Sequence, residues 1–199
     1  SSVALQAWLM AAPPSANPED DGVVCLPLQL HGEKAHVTSL MTRYPGESTD
    51  PLSFWTLFIG GTDSLAKVPT HRWDADLYFS VDKDEGCTYA LHGAFLGDIG
   101  DIAPDQFGLG AEELKHMSPG QRLTLELGYQ VLQQAGHTRE SVQGYNCGVF
   151  LGDSGSDWPY FGHAPDPCLI LGLSNCITGS RISHTLGLQG PCSVSDTAC

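Results

Sequence analysis

A thiol placed just beyond a short strand is the residue of this sequence with the most chemistry within reach. The chain runs Gly190-Pro191, then Cys192-Ser193-Val194-Ser195, then Asp196-Thr197-Ala198-Cys199. A cysteine at a strand-to-helix junction can be activated by the free amides of the next helix, and its own backbone N–H can point at a developing oxyanion. Those features suit nucleophilic catalysis by a thiolate. The competing reading is an inert buried cysteine, because free cysteine is among the most buried residue types. Local physics alone favours the inert thiol.

Other arrangements carry less. Gly152-Asp153-Ser154-Gly155-Ser156 approaches the G-x-S-x-G elbow of serine hydrolases, but Ser156 stands where the closing glycine is required. Gly108-Leu109-Gly110 opens a dinucleotide-type pattern, yet Glu113 occupies the third glycine position and no strand leads into it, so it reads as a turn. The eight histidines (His31, His36, His71, His92, His116, His137, His163 and His184) are dispersed. Neither they nor the cysteines show zinc-ligand spacing. Asp74, Asp76, Asp82, Asp84 and Glu85 lack the calcium-loop pattern and read as a solvated acidic face. No metal and no intrinsic cofactor is expected.

The elements that must position Cys199 follow from periodicity and punctuation. Cys147-Gly148-Val149-Phe150-Leu151-Gly152 is a glycine-bounded apolar run and predicts a buried strand, followed by a loop over 153–166. A second short strand is expected at Cys192–Ser195. Between them, Ile177, Ile182 and Leu186 give Asn175–Leu186 helical spacing, broken by Gly187 and Gly190-Pro191. Upstream, Ser118-Pro119-Gly120-Gln121 reads as a capping box, Leu123, Leu127 and Val131 recur every four residues, and Gly136 is a stop. A helix is therefore predicted at about Pro119 to Ala135. Asp50-Pro51 starts another helix, and Phe54, Trp55, Leu57 and Phe58 supply the apolar face of a core helix before Gly60-Gly61. His36 to Met41 predicts a strand. Strands alternating with helices argue for a layered α/β fold. The Pro-, Ser- and Asp-rich stretch 13–22 marks residues 1–34 as an extension or linker, and the packed domain is expected over 35–199.

Composition narrows the function classes. Nine Lys and Arg against 23 Asp and Glu give a formal charge of −14, a surface that repels nucleic acid and anionic lipid alike. The longest apolar runs, such as Leu169 to Leu173, fall far short of the roughly 18 residues of a membrane span. Seven cysteines without a Cys-x-x-Cys pair, and no Asn-x-Ser/Thr acceptor, point to a reducing compartment. The cytoplasm is the expected setting, with a plastid left open because a targeting segment is removed before the mature chain acts.

An ordered set of motifs changes the balance on Cys199. Arg43-Tyr44-Pro45-Gly46 resembles an R-F-P-G turn, and Phe54-Trp55 the helix that follows it. Val68-Pro69-Thr70-His71-Arg72-Trp73-Asp74 resembles V-P-x-x-R-W-D, and His92-Gly93-Ala94-Phe95-Leu96 a G-G-F-L segment. Met117-Ser118-Pro119-Gly120-Gln121-Arg122-Leu123 is similar to M-D-P-Q-Q-R-L, with Ser118 in place of Asp and Gly120 in place of the first Gln. Gly148–Gly152 is similar to G-V-F-x-G, and Arg181-Ile182-Ser183 to N-R-I-S, with Ser180 in place of Asn. Gly190-Pro191 through Asp196-Thr197-Ala198-Cys199 resembles G-P-x-x-x-x-D-T-A-C. Together, from about Ala35 to Cys199, they resemble the N-terminal half of a β-ketoacyl synthase of the modular polyketide synthase type, within the thiolase-like superfamily.

The resemblance implies a five-layered α-β-α-β-α fold of two similar halves, of which this chain supplies about the N-terminal one. It makes Cys199 the nucleophile that takes an acyl chain as a thioester, and its amide an oxyanion donor. The reaction implied is a decarboxylative Claisen condensation with malonyl-acyl carrier protein, in polyketide or fatty-acid elongation. The substrates are then the phosphopantetheine thioesters of acyl carrier protein. Implied partners are that carrier, a second copy in a homodimer, and the remaining half of the synthase in the same or another chain, which brings two histidines and a lysine. An acidic carrier meets a surface of the same sign, so basic residues such as Lys67, Arg72 and Arg139 are expected to cluster where it docks. The alternative is a non-catalytic structural or interaction subunit derived from a synthase.

Overall fold

A computed structural model of the chain describes residues 8–11, 36–82, 84–97, 99, 102–158 and 169–197, with the backbone alone at 8–11 and 173. Its centre is a three-stranded sheet of β1 (Trp8–Ala11), β4 (Cys147–Gly152) and β5 (Cys192–Ser195), with β4 in the middle. β5 runs parallel to β4, in the register Val149 to Cys192 through Gly152 to Ser195, and β1 is antiparallel. A parallel pair needs a crossover, and α6 (Leu169–Leu173) and α7 (Asn175–Leu186) supply it. The predicted strands at 147–152 and 192–195 and the helix at 175–186 all stand where the sequence places them.

α4 (Pro119–Gln134) packs beside α7. Ser118 caps it, its Oγ accepting the Gln121 N–H at 3.3 Å. The expected return bond of the capping box is not made. Gln121 turns its amide across to α6 instead, Nε2 donating to the Leu171 carbonyl at 3.0 Å. One face of α4 is buried at Leu125, Leu132, Thr124 and Tyr129, and meets Met117, Val149, Ile182 and Leu186 in the core. Each large apolar side chain buried there contributes about 1.5–3 kcal/mol.

Two expectations fail. His36 to Met41 forms no strand, because its polar groups bond to α4 and not to a ladder: Ser39 Oγ donates to the Val131 carbonyl at 2.8 Å and the Leu40 N–H to Gln134 Oε1 at 3.1 Å. The helix after Asp50, α1 (Pro51–Ile59), is present, but none of its residues is buried. Its aromatic residues pack on one another and on Tyr44, with ring centroids 4.5 Å apart for Tyr44–Phe54 and 5.8 Å for Trp55–Phe58, and Leu52, Phe58 and Ile59 stay exposed.

The short elements carry little periodic signal in the sequence. They are the antiparallel pair of β2 (Leu65–Lys67) and β3 (His92–Ala94), a 3-10 turn at Ala75–Tyr78, and the helices α2 (Pro104–Phe107), α3 (Ala111–His116) and α5 (Arg139–Val142). Gly108 closes α2 in the left-handed region at φ +65°, so the Gly108-Leu109-Gly110 segment is a helix-ending turn. Among the described residues no helix is long and apolar enough to cross a membrane.

Candidate active site

The approach to Cys199 is built from β4 outward. Cys147, Val149 and Leu151 alternate into the core while Phe150 faces out, so β4 is held by burial on one face. The chain returns to it at Gly190, which crosses directly over the Cys147 carbonyl with no room for a Cβ. The Pro191 carbonyl then accepts the Val149 N–H at 2.8 Å, opening the parallel ladder that β5 continues. α7 lies against both strands at Gly179, whose neighbours are Val194, Cys192 and Leu151.

At the far end of the ladder one residue ties three elements together. The Asp153 N–H donates to the Ser195 carbonyl at 3.1 Å, one rung beyond the Gly152–Ser195 pair. Asp153 Oδ1 accepts the Gly155 N–H at 3.0 Å, and Oδ2 accepts the Thr178 hydroxyl at 2.8 Å. Its carbonyl accepts from Asn175 Nδ2 at 3.0 Å. Asp196 and Thr197, which follow Ser195, are exposed. The predicted nucleophile, Cys199, lies outside the described residues, as does Ala198.

α7 is anchored at its centre by charge. Arg181 is buried and pairs through Nη1 with Glu113 of α3, a carboxylate still partly open to solvent. On α4, Arg43 reaches Glu126 at 3.1 Å. These two arginines belong to the R-F-P-G-like and N-R-I-S-like segments, and both act as braces for the helices that flank the sheet.

The other candidates resolve into structural roles. Lys67 pairs with Asp76 at 2.6 Å, Arg72 donates to the Leu96 and Gly97 carbonyls, and Arg139 to the Gln106 and Phe107 carbonyls. Each of the three cations expected at a docking patch therefore has a local partner. Asp74, Asp76, Asp82, Asp84 and Glu85 are exposed, and Asp74 caps the 3-10 turn. Among the described residues no group of three His, Cys, Asp or Glu is placed to hold a metal ion. Cys87, Cys176 and Cys192 are free and exposed, whereas Cys147 is free and buried, and burial pushes its thiol up from the usual value. A raised thiol is a poor nucleophile, which sets Cys147 apart from acyl transfer. The residue missed by sequence reading is Asp153; its place right after a buried strand and Thr178's place on the crossover helix were visible, but not their contact.

The match to known proteins agrees with this layout. Residues 33–199 match the β-ketoacyl synthase N-terminal domain. The chain belongs to the β-ketoacyl synthase family. It is 38% identical over 174 residues to the spectinabilin polyketide synthase system protein NorC of Streptomyces orinoci, covering 84% of this chain and 8% of that one. It is 34% identical over 168 residues to an erythronolide synthase of Saccharopolyspora erythraea, covering 82% of this chain and 5% of that one. Among solved structures it resembles the ketosynthase from module 6 of the bacillaene synthase of Bacillus subtilis, with TM-score 0.67 and 28% identity over 81% of this chain and 26% of that one. The oxazolomycin ketosynthase domain of Streptomyces albus gives TM-score 0.66 and 25% identity, over 81% and 28%. This β-ketoacyl synthase segment thus has the N-terminal portion of the thiolase-like α/β fold, and it spans under a tenth of the length of those polyketide synthases. In the family's M-D-P-Q-Q-R-L position, Ser118 keeps the capping task that Asp would serve, since both side chains accept from helix amides.

Proposed function

We propose that this chain is the N-terminal portion of a β-ketoacyl synthase that carries out decarboxylative Claisen condensation in polyketide chain elongation, with Cys199 as nucleophile. The observation that carries the reading is the family match running through Cys199, four residues beyond a strand whose last rung is clamped to β4 and α7. The Cys199 thiolate attacks the acyl thioester of an acyl carrier protein. The carbonyl oxygen gains charge, which the Cys199 N–H helps to hold, and the phosphopantetheine thiolate leaves and takes a proton. Malonyl-acyl carrier protein then loses carbon dioxide to give an enolate. Its carbon attacks the Cys199-bound acyl group, forming the new carbon–carbon bond and releasing the Cys199 thiolate. Histidines and a lysine from the remaining part of the synthase assist the decarboxylation.

In this reading residues 35–199 belong to the condensing domain and 1–34 are an extension, of which Trp8–Ala11 adds a strand to the sheet. Phosphopantetheine enters only on the carrier, as substrate, and the cytoplasm is the setting. A homodimer is part of the proposal. It draws support from β5, whose outer edge has no strand against it among the described residues and offers its backbone groups for pairing.

The test is acylation of the full chain with an acyl N-acetylcysteamine thioester, followed by intact-mass measurement and peptide mapping. A single acyl group on Cys199, lost in Cys199→Ala, is the expected result. Acylation that persists in Cys199→Ala, or none in the parent protein, overturns the reading.

A further inference from the structure

Building on acyl transfer through Cys199, we infer that Asp153 is a positioning residue for the nucleophile segment, acting through Thr178 at the start of α7. Among the described residues the last backbone bond of the β4–β5 ladder is the one from the Asp153 N–H to the Ser195 carbonyl. Beyond Val194 the segment has no buried side chain among the described residues, since Ser195, Asp196 and Thr197 are exposed. The Asp153–Ser195 bond is therefore a tie that helps set where the segment leaves the sheet. A rung is only as fixed as the residue that donates it, and Asp153 opens a loop.

The side chain of Asp153 removes that freedom. Its two oxygens take two bonds at once, Oδ1 from the Gly155 N–H at 3.0 Å and Oδ2 from Thr178 Oγ1 at 2.8 Å. The first is local and shapes the loop. The second reaches 25 residues along the chain to a hydroxyl on a residue only 5% exposed, so it fixes the half-buried Asp153 to α7. Asn175 Nδ2 on the Asp153 carbonyl doubles the tie to the same helix. α7 in turn rests on β5 through Gly179 and on α3 through the Arg181–Glu113 pair. The exit of the nucleophile strand is thus referenced to the crossover helix and not to the loop. A reacting thiol displaced by about 1 Å loses up to roughly a hundredfold in rate, so a loosened rung is felt in chemistry before it is felt in folding.

The experiment compares Thr178→Val, which removes the hydroxyl at nearly constant shape, with Thr178→Ser, which keeps it, alongside Asp153→Ala and Asn175→Ala, in the full chain. Acylation of Cys199 by the thioester is followed by mass spectrometry, thermal melting checks folding, and alkylation of the exposed Cys87 is the internal control. Expected is a fall of about tenfold in the saturating acylation rate for Thr178→Val and Asp153→Ala, with unchanged half-saturation, unchanged Cys87 labelling and recovery in Thr178→Ser. Parent-like rates in folded Thr178→Val and Asp153→Ala overturn the inference while leaving acyl transfer through Cys199 standing. Should Asp153→Ala melt early, Thr178→Val and Asn175→Ala decide the matter by themselves. A parent protein that is not acylated at Cys199 overturns the functional reading first, and this inference with it.

Discussion

Gly179 of α7 stands so close to Val194 of β5 that a Cβ on the glycine would lie 2.8 Å from Val194 Cγ2, and 3.0 Å from Cys192 Sγ. The helix can lie on the sheet at this height only because it has no side chain there. Gly179→Ala gains helix propensity of up to about 1 kcal/mol. The overlap with Val194 Cγ2 and Cys192 Sγ forces a shift that costs about 1–3 kcal/mol. The expected net result is destabilisation of about 1–2 kcal/mol in urea unfolding. A variant as stable as the parent would show that α7 rides higher on the sheet.

The Arg181–Glu113 pair joins a buried guanidinium to a half-open carboxylate. Removing the acid strands the buried charge, whereas removing the base leaves Glu113 free to hydrate. Glu113→Gln should therefore cost about 1–2 kcal/mol, a value between exposed and buried pairs, and Arg181→Met should cost less. Denaturant midpoints in the reverse order would contradict this assignment.

Thiol reactivity should divide the described cysteines into two groups. Cys87, Cys176 and Cys192 are exposed, while Cys147 is buried with its thiol shifted up. Brief iodoacetamide treatment of the native protein near neutral pH should label the first three and spare Cys147 until the chain is unfolded. Labelling of Cys147 at the rate of Cys87 would mean that β4 opens readily.

The cap of α1 should make that helix sensitive to acid. Asp50 accepts from the Ser53 and Leu52 amides, and the Ser53 backbone bond is the main cause holding its carboxyl below the usual aspartate range. A depressed folded value means the cap contributes fully above the ordinary aspartate value and is lost as pH falls through the folded one. Amide protection at Phe54 and Trp55 should drop in that acid window. In Asp50→Asn, which caps without titrating, it should stay flat; an equal drop there would assign the effect elsewhere.

How much of this was legible depends on whether a feature is local. The 147–152 and 192–195 strands, the 175–186 helix and the start of α4 all follow from runs, spacing and caps within a few residues of one another. The short helices and the paired strands β2 and β3 have too few residues to display a period. His36 to Met41 has the composition of a strand but pairs with none among the described residues, and α4 takes its donors. For α1, sequence shows apolar residues but not what they face, and they face one another and solvent.

By itself the sequence determined the family and the residue types of its nucleophile segment, because these are carried by motifs in a set order that need no partner to be read. Tertiary structure alone decided that Asp153, Thr178 and Ser195 meet. Hydrogen bonds across 25 and 42 residues depend on how a crossover helix settles on a parallel strand pair, and no spacing along the chain encodes that distance.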